Sequence, residues 1–311
     1  MAAALNNPIF QDADKAREWL EAALWTDGPV CPHCGTVDTA TKVMGASARP
    51  GLYMCNSCRK QFTVTVGTVF ERSKIPLNKW LLATFLLSAS KKGMSTHQLS
   101  RMLDVSYKST WFMMHRIREA MREGHFPGAL GGEGKFVEAD ETYVGGKETN
   151  KHRSKRNSKN IGGMGKEIVF ALVERNGRVR SHHVASVSAK TLRPILVSQL
   201  HPKTLLMTDD AGQYRHMSKD FTHETVNHGI GEYVRGEAHT NTVEGYFSIL
   251  KRGLVGTYHH VSPAHLKRYV GEFDFRYNTR GMTDMERTLI AAQGIKGKRL
   301  TYRRTNRADV N

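Results

Sequence analysis

All four cysteines of this 311-residue chain lie between positions 31 and 58, in two pairs with the spacing Cys-x-x-Cys. Cys31 and Cys34 form the first pair, Cys55 and Cys58 form the second, and twenty residues separate the pairs. This is the spacing of a zinc ribbon, in which each knuckle presents two thiolates to one tetrahedral ion. Four thiolates complete the coordination of zinc, so the pattern predicts a structural metal rather than a catalytic one.

The alternatives to zinc are two disulfides or a redox-active cysteine pair. The first residues, MAAALNNPIFQDADKAREWL, lack the basic start and apolar block of a secretory signal. Disulfides are rare in a reducing cytoplasm, so this favours one structural zinc ion per chain. His33 lies inside the first knuckle, but four sulfurs already suffice, so we do not assign it as a ligand.

The balance of charge points to a polyanionic partner. The chain carries 46 lysines and arginines against 29 aspartates and glutamates, a net charge of +17. Such an excess favours nucleic acid as the partner. The most apolar run, WLLATFLLSA at 80–89, is far too short to span a bilayer, so no membrane partner is expected. We expect a cytoplasmic protein, although ribosomal proteins and regulators share this composition.

Residues 95–123 are typical of two helices joined by a short turn. Ser95 can cap a helix that ends near Met102, and Ser106 can cap the next helix after the turn at 103–106. This pattern predicts a helix-turn-helix, whose second helix enters the major groove with its N-terminus first. An ordinary helical hairpin is the alternative. In the helix-turn-helix interpretation, Tyr107 and Lys108 contact DNA. The expected exposed residues of the first turn are Tyr107, Lys108, Ser109 and Thr110.

Beyond the glycine-rich segment at 127–135, the pattern changes to alternating strands and helices. A strand is predicted over 136–144, and two more are joined by the turn Asn176-Gly177. The predicted order is β-β-β-α-β-α-β-α, which gives five strands. The later predicted elements are strands at 167–175, 178–186, 204–210 and 223–228 and helices at 188–200, 214–221 and 239–253.

Three acids stand out by their positions in this order. Asp140 lies in the middle of the first strand, Asp209 ends the fourth, and Glu244 lies on the last helix. If that helix packs on the sheet edge that carries the aspartates, the three carboxylates converge. Clustered carboxylates repel one another unless cations neutralise them, and oxygen-only ligands suit Mg²⁺ or Mn²⁺. Two such ions support attack of a hydroxyl on a phosphodiester.

The periodicity of the last helix decides where Glu244 lies. Glu244 shares a polar face with Asn241 and Lys251. The alternative is structural: Glu244 pairs with Lys251 or Arg252, and the two aspartates are surface acids. Asp140 argues against it, because an acid in mid-strand needs a partner or a metal. The neighbouring apolar face comprises Val243, Phe247, Leu250 and Leu254.

The residues resemble the ISXO-like group of bacterial insertion-sequence transposases, which also carry an N-terminal zinc ribbon. The order strand-acid, strand-acid, helix-acid is similar to the RNase H-like fold of DDE transposases and retroviral integrases. The resemblance extends from about residue 15 to 290. It is carried by the strings DETYVGGKETNKH at 140–152, MTDDAGQY at 207–214, VNHGIGEYV at 226–234 and HTNTVEGYFSILKRGLVGTYHHVSPAHLKRYVGEFDFRYNTR at 239–280.

The resemblance implies that Asp140, Asp209 and Glu244 are the catalytic carboxylates and hold two Mg²⁺ or Mn²⁺ ions. It also implies that Lys251 contacts DNA near the active site, and Arg252 and Asn241 are assigned to the same DNA-facing segment. Two alternatives stay open. Asp210 adjoins Asp209, and only the resemblance favours the first of them. Some relatives have asparagine as the third residue, which leaves Asn241 as a candidate for part of the Glu244 role.

The function implied is that of a transposase that binds terminal inverted repeats, nicks the 3′ ends and joins them to target DNA. Both ends must be held together, so a homodimer or higher oligomer on double-stranded DNA is expected. The protein would then be associated with the nucleoid through DNA. The alternatives are a transposase-derived DNA-binding regulator without catalysis, or an RNase H-like nuclease or resolvase.

The expected architecture is multidomain, with a small β ribbon, a helical segment and an α/β catalytic domain. The last of these is RNase H-like, of the retroviral-integrase type, with a mixed five-stranded sheet. A basic loop after the first strand and the basic tail suit phosphate contact. The expected segments are a helix at 1–26, the ribbon at 27–72, the helix-turn-helix at 73–126, the catalytic domain at 134–290 and the tail at 291–311.

Overall fold

The computed structural model describes residues 5–122, 126–160, 162–227 and 234–301. The chain forms two compact units, of which the first comprises Met1–His125 with Gly281–Arg304 and the second comprises Phe126–Arg280 with Thr305–Asn311. The tail beyond 301 and residues 228–233 of the string at 226–234 lie outside the described residues. In the described part of the chain, no helix has the length and apolar character needed to cross a membrane.

The first unit begins with two short helices and the cysteine ribbon. The second helix is capped by Asp12, whose carboxylate accepts hydrogen bonds from the backbone N–H groups of Asp14 and Lys15. Three short antiparallel strands follow in the order β1-β2-β3. These elements are α1 (Pro8–Gln11), α2 (Ala13–Leu24), β1 (Ala40–Lys42), β2 (Tyr53–Cys55) and β3 (Gln61–Phe62).

The apolar segment at 60–70 forms a strand only near its start, over Gln61–Phe62. The backbone turns after β3, because the N–H of Val66 donates to the Thr63 carbonyl and the N–H of Thr68 to the Thr65 carbonyl. Val69 and Phe70 are buried all the same. Apolar side chains of this segment are therefore buried without a continuous strand.

Helices complete the first unit, and the predicted helix, turn and second helix are all present. Ser95 caps α4 by accepting from the Gln98 N–H, and Ser106 caps α5 by accepting from the Ser109 N–H. Asp104 ends α4 in the left-handed region, at φ 49°. The helices of this unit are α3 (Leu77–Ala89), α4 (Thr96–Leu103), α5 (Tyr107–Met121) and α9 (Asp284–Gln293).

The main segment of the second unit ends before residue 290, where a domain boundary was expected. Helix α9 packs against α3 and belongs to the first unit, while the second unit's main segment ends at Arg280. The physical reason is burial, since Thr288, Ala291 and Ala292 of α9 are covered in the fold. The sequence pattern shows that this helix has an apolar face, but not which unit covers it.

The second unit contains the mixed five-stranded sheet that the sequence predicted. The strand order is β6-β5-β4-β7-β8, with β4 antiparallel to β5 and parallel to β7. The strands are β4 (Phe136–Val144), β5 (Glu167–Glu174), β6 (Val179–Val184), β7 (Leu205–Asp209) and β8 (Thr222–Val226). This order places the two strands that carry Asp140 and Asp209 side by side at the centre of the sheet.

Helices cover both faces of this sheet. On one face, Val137 of β4 packs in a cluster with Leu192 and Leu196 of α6. On the other, Val169 of β5 packs in a cluster with Leu250 of α7. The helices are α6 (Ala189–Gln199), α7 (Asn241–Gly253) and α8 (Pro263–Asn278). Since side chains alternate along β4, Asp140 lies on the face covered by α7 and α8.

Two short elements lie between β8 and α7 that the sequence did not predict. They are β9 (Val234–Arg235) and β10 (Ala238–His239), which pair with each other in antiparallel fashion. Strands of two residues are too short to show an alternating pattern. The helix predicted at 214–221 is instead two 3₁₀ turns, Gly212–Tyr214 and Met217–Lys219.

Candidate active site and metal centre

The four cysteine sulfurs lie together in the ribbon, all within 4.8 Å of one another. The Sγ atoms of Cys31 and Cys58 are 3.7 Å apart, and those of Cys34 and Cys55 are 3.6 Å apart. With zinc–sulfur distances of about 2.3 Å, the edge of a tetrahedron of sulfurs is about 3.8 Å long. The donor set and its spacing therefore fit a structural zinc ion.

Two equivalent turns place these cysteines. The backbone N–H of Gly35 donates to the Cys31 carbonyl, and the N–H of Arg59 donates to the Cys55 carbonyl, each at 2.9 Å. The backbone N–H of Cys58 donates to the Cys55 thiolate, which lowers the pKa of Cys55 to about 5. A thiol that ionises this readily is a ready metal ligand. The ring Nε2 of His33 lies 3.3 Å from the Gln61 carbonyl oxygen, as expected for a residue outside the metal site.

Strand β4 positions Asp140 in an acidic surrounding. Its half-buried carboxylate accepts a hydrogen bond from the Glu141 N–H at 2.7 Å. Burial raises the pKa of Asp140 to about 7, and the negative charges of Glu141, Asp209 and Glu244 contribute to the rise. A divalent cation among these oxygens would lower that pKa, because it favours the charged form.

Asp209 is the aspartate that the sheet places beside Asp140. The parallel pairing of β4 with β7 joins Phe136 to Leu205 and ends with Glu138 and Met207. The same register, continued two residues beyond this pairing, sets Asp140 level with Asp209. Asp209 is half-buried, whereas the neighbouring Asp210 is exposed. The negative charge of Asp209 contributes to the raised pKa of Asp140.

Glu244 approaches the same region from α7. It lies in the first turn of this helix, exposed, and its Oε1 accepts from the Thr240 hydroxyl at 3.3 Å. Its charge raises the pKa of Asp140. The predicted apolar face of α7 is buried, as expected from the periodicity. Its buried members are Val243, Tyr246, Phe247, Leu250 and, just beyond the helix, Leu254.

The carboxylates share a region, but they are not packed as closely as the cysteines. Within the described residues, only the cysteines form a group of three or more metal-ligand side chains with ligand atoms within 4.8 Å of one another. Asp140, Asp209 and Glu244 come from three separate elements. Their charges nevertheless act on one another, since Asp209 and Glu244 both raise the pKa of Asp140.

The other predicted residues of α7 project from its exposed surface. Asn241, Lys251 and Arg252 are all exposed, and Arg252 Nε donates to the Ser248 carbonyl at 3.2 Å. Lys251 lies two turns after Glu244 on the same side of the helix. The helix therefore presents a negatively charged and a positively charged side chain, Glu244 and Lys251, on the same side.

The first turn of α5 exposes Tyr107 and Lys108, as predicted. The Tyr107 ring contacts the His97 ring of α4, with centroids 4.4 Å apart. The prediction that Thr110 is exposed is wrong. Thr110 is buried, and its hydroxyl donates to the carbonyls of Val105 and Ser106, which ties α5 to the preceding turn.

Two further acids of β4 belong to this region. Glu141 accepts from the Tyr214 hydroxyl at 2.6 Å and from Gln213 Nε2 at 2.8 Å. Burial raises the pKa of Glu141, and the charge of Asp209 raises it further. Glu138, which the sequence did not single out, is completely buried. The signal for Glu138 was its place in FVEADETYV, on the same face as Asp140.

Comparison with known proteins finds two family models that match separate parts of the chain. Residues 129–278 match the family model described as ISXO2-like transposase domain, and residues 11–61 match a transposase zinc-ribbon domain. A relative from Halobacterium salinarum, an uncharacterized protein in transposable element ISH50, is 30% identical over 282 residues. The match covers 86% of this chain and 91% of that protein.

Proposed function

The chain belongs to the ISXO2-like transposase family, and on this premise we propose that it binds the terminal inverted repeats of its element, nicks their 3′ ends and joins them to target DNA. The observation that carries this proposal is the electrostatic coupling of Asp140 to Asp209 and Glu244. Asp209 and Glu244, which come from distant parts of the chain, both act on the Asp140 carboxyl group. Such an arrangement is unfavourable without a cation and typical of a phosphoryl-transfer site.

In this proposal, Asp140, Asp209 and Glu244 hold two Mg²⁺ or Mn²⁺ ions. The donor set fits these ions because it consists of carboxylate oxygens alone. When bound, such a metal pair activates the attacking hydroxyl and stabilises the leaving oxygen. The protein's own part is positional: β4 and β7 hold the two aspartates level, and α7 brings the glutamate to them.

The positive charge beside this site suits the DNA backbone. Lys251 and Arg252 are exposed on α7, near enough in the helix to act with Glu244 on the same strand of DNA. Phosphate contacts of this kind position a substrate and neutralise its charge. Asn241, one turn before Glu244 and also exposed, joins this DNA-facing surface.

Recognition of the element ends is assigned to the first unit. The N-terminus of α5 presents Tyr107 and Lys108, in the position from which a helix-turn-helix contacts base edges. The structural zinc ion holds the ribbon that precedes this element. Since two ends must be cut and joined together, the active form is proposed to be at least a homodimer on DNA.

The test is cleavage and joining of labelled duplexes that carry the ends of the element, with purified protein and Mg²⁺. Asp140→Asn and Glu244→Gln are expected to abolish nicking, and Asp210→Asn is the matched control that keeps it. If Asp140→Asn cuts as well as the parent protein, the proposed metal site is wrong. End binding without nicking would indicate a regulator, and nicking without joined products a nuclease or resolvase.

A further inference from the structure

The Glu138 carboxylate is the most enclosed acid next to the proposed active site. Its side chain has no exposed surface. It accepts hydrogen bonds from the backbone N–H groups of Thr242 at 2.7 Å and Val243 at 3.0 Å, and from the Thr242 hydroxyl at 2.9 Å. A residue of the central strand is therefore bonded to the first turn of α7.

These bonds replace a cap that α7 does not supply for itself. The first N–H groups of a helix have no partner within the helix and are usually capped by the side chain of the preceding residue. In the described structure, the side chain of the capping residue, Thr240, accepts no such bond, and its hydroxyl donates to Glu244 instead. Glu138 caps the helix from the strand, and its negative charge also suits the positive end of the helix dipole.

The charge of Glu138 is matched within the core. Arg175 Nε donates to Glu138 Oε1 at 2.7 Å, and the same guanidinium donates to the His239 carbonyl at 3.1 Å. It also lies over the Phe136 ring, 4.8 Å from its centroid. The ring Nδ1 of His239 is 3.1 Å from Glu138 Oε1. The carboxylate is thus held in one position from several sides, as a fixed connection requires.

The two residues joined by this hydrogen bond, Glu138 and Thr242, lie at the same sequence distance from two proposed metal ligands. Glu138 precedes Asp140 by two residues on the same face of β4, and Thr242 precedes Glu244 by two residues on α7. The bond between Glu138 and Thr242 spans 104 residues of sequence. Any movement of the helix start relative to the strand changes the separation of Glu244 from Asp140, and this bond restricts that movement.

We propose that Glu138 is a positioning residue of the transposase site, which caps α7 from β4 and thereby sets Glu244 opposite Asp140 and Asp209. The inference rests on the proposed function, because it concerns the geometry of those three carboxylates as metal ligands. Residues that orient metal ligands change metal affinity by about 10- to 100-fold when they are replaced. Glu138 should therefore act through the affinity of the site for its metal.

The experiment compares Glu138→Gln with Glu237→Gln in the full-length, zinc-loaded protein. Glu237 is a matched control because its carboxylate lies 3.7 Å from the same arginine, Arg175, but its side chain is 77% exposed. Mn²⁺ binding is measured by titration calorimetry, and nicking of element ends is measured against Mn²⁺ concentration. We expect Glu138→Gln to bind Mn²⁺ at least about 10-fold more weakly, with nicking recovered in part at high Mn²⁺, and Glu237→Gln to match the parent.

Two milder variants decide the question if Glu138→Gln does not fold. Glu138→Asp keeps the charge beside Arg175 but shortens the reach to α7, and Thr242→Val removes only the hydroxyl donor. Both are expected to weaken Mn²⁺ binding in the same direction, by less than Glu138→Gln. A purely structural role would lower the melting temperature and the active fraction, but it would leave the Mn²⁺ affinity of the folded protein unchanged.

Parental Mn²⁺ affinity in every folded variant of Glu138 and in Thr242→Val would overturn the inference. The proposed function is tested separately by Asp140→Asn and Glu244→Gln. If these two still nick DNA, the proposed function fails. If they are inactive while the Glu138 variants bind Mn²⁺ like the parent, only the positioning role is wrong.

Discussion

The cysteine centre and the carboxylate site of this protein are built in opposite ways. The cysteines come from two equivalent turns of one small ribbon, and their sulfurs are already at the spacing of a zinc tetrahedron. The carboxylates come from β4, β7 and α7, and they repel one another. The difference shows that a structural metal site can be complete within a local segment, whereas this proposed catalytic site depends on the whole α/β unit.

The largest expected effect is the loss of zinc from the ribbon. Cys55→Ser should abolish zinc binding, because it removes one of the four thiolate ligands. The ribbon should then lose the folding free energy that a structural zinc ion contributes to small zinc domains, on the order of 10 kcal/mol. Trp25 packs edge-on against Tyr53 and Phe62 in the ribbon, so its environment should change. Zinc content per chain and tryptophan fluorescence check the result.

The control for this prediction is His33→Ala, which should keep both the zinc and the fluorescence of the parent. All four tryptophans lie in the first unit, so the fluorescence reports that unit alone. Retention of one zinc per chain by Cys55→Ser, with the parental emission, would contradict the local character of the centre.

The next largest effect is on folding stability, which should depend on pH through the ionisation of Asp140. The folded-state pKa of Asp140 is about 7, above its ordinary value of 3.8. Between these two pH values the folded state holds a proton that the unfolded state has released, so stability falls as pH rises through this window. Above pH 7 the loss reaches about 4 kcal/mol at most. Asp140→Asn should therefore stabilise the second unit at pH 8 and have little effect at pH 3.5.

Calorimetric melting at the two pH values, without added divalent metal, measures this change. Asp210→Asn removes the charge of an exposed neighbour and should alter the melting temperature little. Mg²⁺ should stabilise the parent more than Asp140→Asn, because only the parent has the Asp140 carboxylate as a ligand for the ion. An Asp140→Asn protein that melts like the parent at pH 8 would show that repulsion at this site is weak.

The smallest effect concerns the charge around the carboxylates. Lys251→Ala should reduce the salt dependence of DNA binding, lowering the slope of log K against log salt by about 0.9 for one lost phosphate contact. Lys190→Ala is the control, since Lys190 is exposed on α6, on the other face of the sheet. Equal slopes for the two variants would place Lys251 outside the DNA-binding surface.

The same contrast explains how much could be predicted from the sequence. The spacing of Cys31, Cys34, Cys55 and Cys58 was sufficient for the zinc centre because its ligands are local. The five strands and the buried face of α7 followed from periodicity, with strand ends displaced by one or two residues, whereas the mixed sheet was implied by the family resemblance. The ends of β7 and β8, for example, lie at Asp209 and Val226 rather than at 210 and 228.

The rest depended on contacts that no local pattern contains. Glu138 caps a helix 104 residues away, so its role becomes visible only when β4 and α7 are packed together. Thr110 was expected at the surface because it is polar, but its hydroxyl finds two backbone carbonyls and the side chain is buried. The register of β7 against β4, which supports the proposed choice of Asp209 over Asp210, is likewise a long-range contact.

The most direct test of the carboxylate site is a count of bound metal ions. Titration of Mn²⁺ into the zinc-loaded protein on its element-end DNA should show two ions per chain in the parent. Asp140→Asn, Asp209→Asn and Glu244→Gln should each lose at least one of them and keep the zinc. If one of these variants binds Mn²⁺ like the parent, the assignment of that residue as a ligand is wrong. If all three variants do so, the proposed metal site does not exist.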